Sequence, residues 1–187
     1  MRDLFRGELV CLCCESLETL ATLGAGWERD SEYHRLSDGE PAVLRSVKKT
    51  RERLEERIGK LEDDYYFFSI RTLAENVPIG VTMVRVGWVN ADGIIGIAIG
   101  DRDRWGKGFG TDAIRLLVQY AFLELNLRRV TLGVNAYNAR AIRSYEKVGF
   151  VREGVFRGDV KRENQRFDSL MMGLLHEEWL ALKDRAA

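Results

Sequence analysis

The sequence has no excess of charge: its 29 basic and 29 acidic side chains cancel. No block of like charge reads as a nucleic-acid arm, so the general electrostatic case for a DNA or RNA partner is absent. Long apolar runs are missing too. No stretch approaches the roughly 18 consecutive apolar residues of a membrane helix. The opening MRDLFRGELVCLCCES scatters charge where a signal peptide carries a hydrophobic segment. Histidine is scarce (His34 and His176), and the three cysteines, Cys11, Cys13 and Cys14, have no second pair to complete a metal site. Reduced thiols on a buried strand are the reading left for them, and the whole points to a soluble cytoplasmic protein with no membrane partner and no metal. Only two prolines, Pro41 and Pro78, and no repeat or linker interrupt the chain, so one domain over 1–187 is expected.

What is present is enough apolar side chain, 45%, for a sizeable core. Residues 8–14 read as a first strand. Two helical segments follow, the second marked by Val43, Val47, Leu54, Ile58 and Leu61 at three-, four- or seven-residue steps. Strand-like runs cover 65–73, 80–89 and 94–100, the last two parted by a turn at Asn90 to Gly93. A helix is predicted over 111–126, a strand over 129–135 and a helix over 139–148 that Gly149 is suited to end. Residues 150–176 read as two more strands around a polar turn near Asp159 to Gln165. This succession implies an α+β (mixed α/β) fold with a mixed sheet.

The segment IAIGDRDRWGKGFGTDAIRLL carries the most information. A buried strand enters Trp105-Gly106-Lys107-Gly108-Phe109-Gly110, and a helix is predicted to start at once, with Thr111 or Asp112 near its N-cap. The glycines let the backbone turn sharply and approach a ligand, while the first N–H groups of the helix are unpaired and electropositive, a combination suited to a phosphate. The spacing fits neither a P-loop nor a dinucleotide fingerprint. A glycine-rich connection without a ligand is the plain alternative. Ahead of the loop, Ile95, Ile97 and Ile99 alternate with Gly96, Ala98 and Gly100, leaving one strand face nearly bare. Such a face suits a thin phosphate-bearing molecule or close helix packing.

The run from about Ile95 to Phe150 resembles the GNAT superfamily of acyl-coenzyme A N-acyltransferases. Gly108-Phe109-Gly110 supplies the glycine core of its first motif, with Trp105 where Gln or Arg is usual. WGKGFGTDA looks like the ribosomal-protein and polyamine acetyltransferase branch. Asn138, Ala141, Ile142, Tyr145, Gly149 and Phe150 reproduce the second motif, Asn-x-x-Ala-Ile-x-x-Tyr-x-x-x-Gly-Phe, in order. The resemblance implies a central, mostly antiparallel sheet of about seven strands flanked by about four helices. It implies acetyl-coenzyme A as co-substrate, its pyrophosphate on backbone N–H groups of 106–111 and its pantetheine arm beside Ile97 and Ile99. Arg104, Trp105, Gly106, Lys107, Gly108, Phe109, Gly110 and Thr111 are then candidate contacts, as are Asn138 and Tyr145. Without the motif, Arg104 and Lys107 are solvated charges, Asn138 is an N-cap, and Tyr145 is a core aromatic beside Ile142 and Val148.

The implied chemistry is direct attack of a primary amine on the thioester. At pH 7 about one part in a thousand of an amine with a pKa near ~10 is neutral, a handicap of roughly 4 kcal/mol that calls for a base or a water chain. A strand N–H near Ile97 to Ile99 could meet the developing oxyanion. Tyr145 matches the family's acid position for the leaving thiolate, and Asn138 its pantetheine contact. Some relatives carry a Glu where this chain has Gly133. Asp101, Glu153 and Asp168 are other acidic candidates, and a water relay is the expectation. The acceptor could be a protein N-terminus or a small molecule, and the charged stretch 152–166 mildly disfavours polyamines. A non-catalytic acyl-coenzyme A sensor is the alternative. Trp179 and the apolar strand LMMGLL leave room for a homodimer.

Overall fold

The computed structural model describes residues 3–37, 39–59 and 64–186. Its strands are β1 (Val10–Cys13), β2 (Tyr65–Thr72), β3 (Pro78–Gly87), β4 (Asp92–Ile99), β5 (Arg129–Asn135), β6 (Val151–Arg162) and β7 (Gln165–Leu175). They form one sheet in the order β1-β2-β3-β4-β5-β7-β6. Every neighbouring pair is antiparallel except β4 and β5, so the expected mixed, mostly antiparallel sheet of seven strands is what forms.

The described residues hold six α-helices, where the sequence pointed to about four: α1 (Leu17–Trp27), α2 (Ser31–Ser37), α3 (Val47–Gly59), α4 (Phe109–Leu123), α5 (Ala139–Val148) and α6 (His176–Ala186). The two extra ones escaped for physical reasons. α2 has seven residues, too few to show a period, and α6 continues directly from β7 without a break in composition. The stripe assigned to 43–61 also differs. Val43 precedes the helix, and both Val43 and Val47 are exposed. Leu61 and the side chain of Ile58 lie outside the described residues. The cysteines sit on a strand less buried than expected: Cys11 and Cys13 are half-buried, alternating with buried Val10 and Leu12, and Cys14 is exposed.

α4 builds the core. Its Ile114, Leu117, Val118, Ala121 and Phe122 form one buried cluster with Val84, Val86 and Ile95 of β3 and β4 and Val130, Leu132 and Val134 of β5. Its carboxylate Asp112, at 5% exposure, accepts from Leu9 N (2.8 Å) and Val10 N (3.0 Å) and pins the start of β1. The opposite face of β4 meets α1: a Cβ on Gly100 would stand 1.9 Å from the ring of Trp27. Close helix packing therefore accounts for the bareness at Gly100.

Candidate active site

The parallel pairing of β4 with β5 lasts three rungs, Asp92–Arg129, Gly93–Val130 and Ile94–Thr131, and then stops. Both strands run on, to Ile99 and Asn135, so the sheet splays into a gap. Gly100 N–H donates to Ile79 O at 2.9 Å, which fixes the parity of the β3–β4 ladder. Even residues of β4 bond to β3, and Ile95, Ile97 and Ile99 turn their backbone groups toward the gap. Ala136 N–H to Asp168 O (2.9 Å) sets the same parity on the other side, turning Gly133 and Asn135 inward. A sheet edge left unpaired inside a fold is a template for an extended ligand.

The gap opens into a cleft of about 540 Å³. Of the sequence-predicted residues, Ile97, Ile99, Arg104, Trp105, Gly106, Gly108, Gly110, Thr111, Asn138 and Tyr145 line it; Lys107 and Phe109 do not. The helix after the loop starts two residues earlier than expected. Gly108, with φ +91°, is the N-cap of α4 in place of Thr111 or Asp112, and Gly106 is also left-handed at +73°. Those conformations strain any side-chain-bearing residue and keep the loop's N–H groups bare.

Trp105 donates its indole N–H to Ile99 O at 2.7 Å, occupying one gap-facing carbonyl. Its ring carries Arg140, whose guanidinium lies 3.9 Å from the centroid. Arg104 is already matched by Glu75 (2.8 Å) and Asp101 (3.3 Å). The sequence reading missed the cations of α5. Arg140, Arg143 and Lys147 follow each other at helical spacing and line the cleft with Ser144. A helical projection of 139–148 would have found them, since its apolar face (Ile142, Tyr145, Val148) leaves this stripe beside it.

Tyr145 is 7% exposed, edge-on to Phe150. Its hydroxyl has no hydrogen-bond partner among the described residues, and burial pushes its pKa up to about 12. Asn138 caps α5, accepting from Ala141 N at 3.1 Å, and donates to Leu36 O, also at 3.1 Å. It ties α2 to α5. Asp101, Glu153 and Asp168 do not line the cleft: Asp101 faces Arg104, Glu153 is paired with Arg129, and Asp168 accepts from Gly158 N at 2.8 Å. A Cβ on Gly133 would meet nothing within 4 Å, so open space stands beside it. Among the described residues the carboxylate that does line the cleft is Asp159, beside Phe156, Ser169 and Leu170, with Tyr33 and Leu36 of α2 also in the wall. No His/Cys/Asp/Glu group among the described residues could hold a metal, and no described helix is long and apolar enough to cross a membrane.

Residues 16–151 match the acetyltransferase (GNAT) domain. Among curated proteins the chain is 35% identical over 138 residues to the probable N-acetyltransferase YjcK of Bacillus subtilis, covering 71% of this chain and 75% of that protein. It is 36% identical over 74 residues to the putative ribosomal N-acetyltransferase YdaF of the same organism, 40% of each chain. Among solved structures, spermidine N-acetyltransferase from Vibrio cholerae in complex with CoA and spermine superposes with a TM-score of 0.78 at 22% identity, over 91% of this chain and 98% of that one.

Proposed function

The chain belongs to the GNAT acetyltransferase family, and from that premise we propose that it works as a single domain moving acetyl from acetyl-coenzyme A to a primary amine by direct attack, with Tyr145 as acid to the departing sulfur. The residues present suit the co-substrate. Bare N–H groups at Gly106 to Thr111 and the α5 cations Arg140, Arg143 and Lys147 would take its phosphates, and the unpaired edge at Ile97 and Ile99 its amide-bearing arm. Acetyl-coenzyme A supplies an activated carbonyl. The chain supplies orientation and an edge N–H at Ile97 or Ile99 for charge developing on oxygen.

One observation carries the reading: a buried phenol without a hydrogen-bond partner faces a cleft opened by two splayed strands. With its pKa pushed up to about 12 by burial, Tyr145 keeps its proton at neutral pH and is held as a hydrogen-bond donor. Asp101, Glu153 and Asp168 are engaged elsewhere, which supports deprotonation of the amine through water.

Tyr145→Phe tests it. Removal of a general acid is expected to lower kcat about 100-fold, leaving the Kd of acetyl-coenzyme A within about threefold. The wild-type kcat should rise with pH as the amine deprotonates and show no fall before about pH 10, since Tyr145 is still protonated there. An unchanged kcat in the variant, or a fall setting in near pH 8, overturns the assignment.

A further inference from the structure

The cleft is electrically lopsided. Arg104, Arg140, Arg143 and Lys147 line it toward the glycine loop and α5, while Asp159 is the one carboxylate among its described lining residues. Asp159 stands at the other end, on β6, and its placement there is built by the backbone. β6 pairs with β7 as Phe156–Ser169 and then as Val160–Phe167, so four steps on β6 answer two on β7. The two surplus residues form a bulge. Gly158 turns through it at φ +60°, Asp168 fixes it by accepting from Gly158 N at 2.8 Å, and Arg166 donates to Gly158 O at 3.2 Å. A bulge re-aims the side chains it carries. Here Phe156 and Asp159 both come to line the cleft, and Ser169 Oγ donates to Asp159 Oδ2 at 2.7 Å. That bond orients the carboxylate and leaves Oδ1 for a ligand.

We infer that Asp159 receives the ammonium of the acceptor, and that the acceptor is a monocation whose apolar body sits among Tyr33, Leu36 and Phe156. The inference rests on the acetyl-transfer reading above and adds the class of amine. At neutral pH the amine arrives almost wholly protonated. The single carboxylate among the described lining residues, opposite Arg140, Arg143 and Lys147, attracts one positive charge. Among the described lining residues a polycation finds no second carboxylate, and its remaining charges would rest against Tyr33, Leu36 and Phe156 or near the basic end. A free N-terminal residue with an apolar side chain and a small apolar monoamine share the required chemistry.

The experiment measures thiol release from acetyl-coenzyme A by wild type, Asp159→Asn, Asp159→Glu and Tyr145→Phe. The acceptors are a tripeptide with a free N-terminal leucine, phenylethylamine and spermidine. Wild type is expected to turn over the tripeptide or phenylethylamine with kcat/KM at least about tenfold above spermidine's, and the better of the two identifies the source of the amine. Asp159→Asn should raise KM for that amine about tenfold with kcat within about threefold, and Asp159→Glu should recover part of the loss. Thermal protection by acetyl-coenzyme A should stay unchanged in both Asp159 variants, a readout that misfolding would not spare. Tyr145→Phe should lower kcat for every amine without raising KM, so the acid assignment and the acceptor assignment fail separately. Preference for spermidine, no turnover of either apolar amine, or an unaltered KM in Asp159→Asn overturns the inference.

Discussion

The two ends of the cleft are made of different material. The basic end is built from two short local segments: the loop with the first turn of α4, and one face of α5. Much of it is backbone, held open by glycines at φ +73° and +91°. The other end is assembled from α2, β5, β6 and β7, and its character lies in side chains such as Tyr33, Phe156 and Asp159. Local backbone makes a site for one invariant ligand. Side chains gathered from distant elements make a site that can be retuned without disturbing the first.

The most damaging way to probe that contrast is at a glycine. A β-branched residue at Gly108 must adopt a left-handed φ, costing on the order of 2 kcal/mol, and its Cβ would meet Leu9 Cδ1 at 3.2 Å. Gly108→Val is expected to raise the Kd of acetyl-coenzyme A about 100-fold by calorimetry and to lower Tm, because the N–H groups of α4 are displaced. Gly133→Ala, where the new methyl meets open space, should leave stability within about 0.5 kcal/mol and the Kd unchanged. Equal effects at the two positions would dissolve the distinction between a backbone-built end and a merely glycine-containing wall.

Charge gives a middle-sized effect. Arg140→Ala combined with Lys147→Ala should weaken acetyl-coenzyme A about tenfold at low salt, with a smaller penalty as ionic strength rises. KM for the amine should not move, since both side chains belong to the phosphate end. A parallel change in amine KM would mean that the ends are coupled.

The same contrast explains what could be read from sequence. The loop and the motif of α5 were legible because each is local in sequence: glycines and a helix start in one, an Asn-to-Phe motif at fixed spacing in the other. The strand at 129–135 and the helix at 139–148 were placed to the residue, since period and caps are local signals. The α4 start was missed by two residues because Gly108 caps it with no side-chain hydrogen bond, so there was no capping side chain to recognise. Arg140, Arg143 and Lys147 were not singled out, because attention fell on the apolar face of Ile142, Tyr145 and Val148. Asp159 lay in a run of mixed charge, and nothing local distinguishes it from Glu163. Its place depends on a bulge set by Asp168 and on pairing with β7, which are tertiary facts. Val43 and Val47 failed the other way, with a helical period that reached no core.

The smallest effect decides the most ambiguous residue. Asn138 stands where the two ends meet, and sequence allowed it a cap, a contact to the pantetheine arm, or both. In the fold its oxygen is the cap of α5, and its amide reaches Leu36 O at the end of α2, a helix that Tyr137 and Asn135 also hold through Arg35 O. If that tie is its main duty, Asn138 serves the acceptor end by fixing the wall that carries Tyr33 and Leu36. Asn138→Ser retains a capping oxygen but is too short to reach α2, so it should cost less than about 0.5 kcal/mol of stability, while Asn138→Ala should cost about 1 kcal/mol. Both should raise amine KM about two- to threefold and leave the Kd of acetyl-coenzyme A where it was, since a loosened α2 widens only that end. The opposite split, with the Kd rising and the amine KM constant, would return Asn138 to the pantetheine arm and move the boundary between the two ends toward α2.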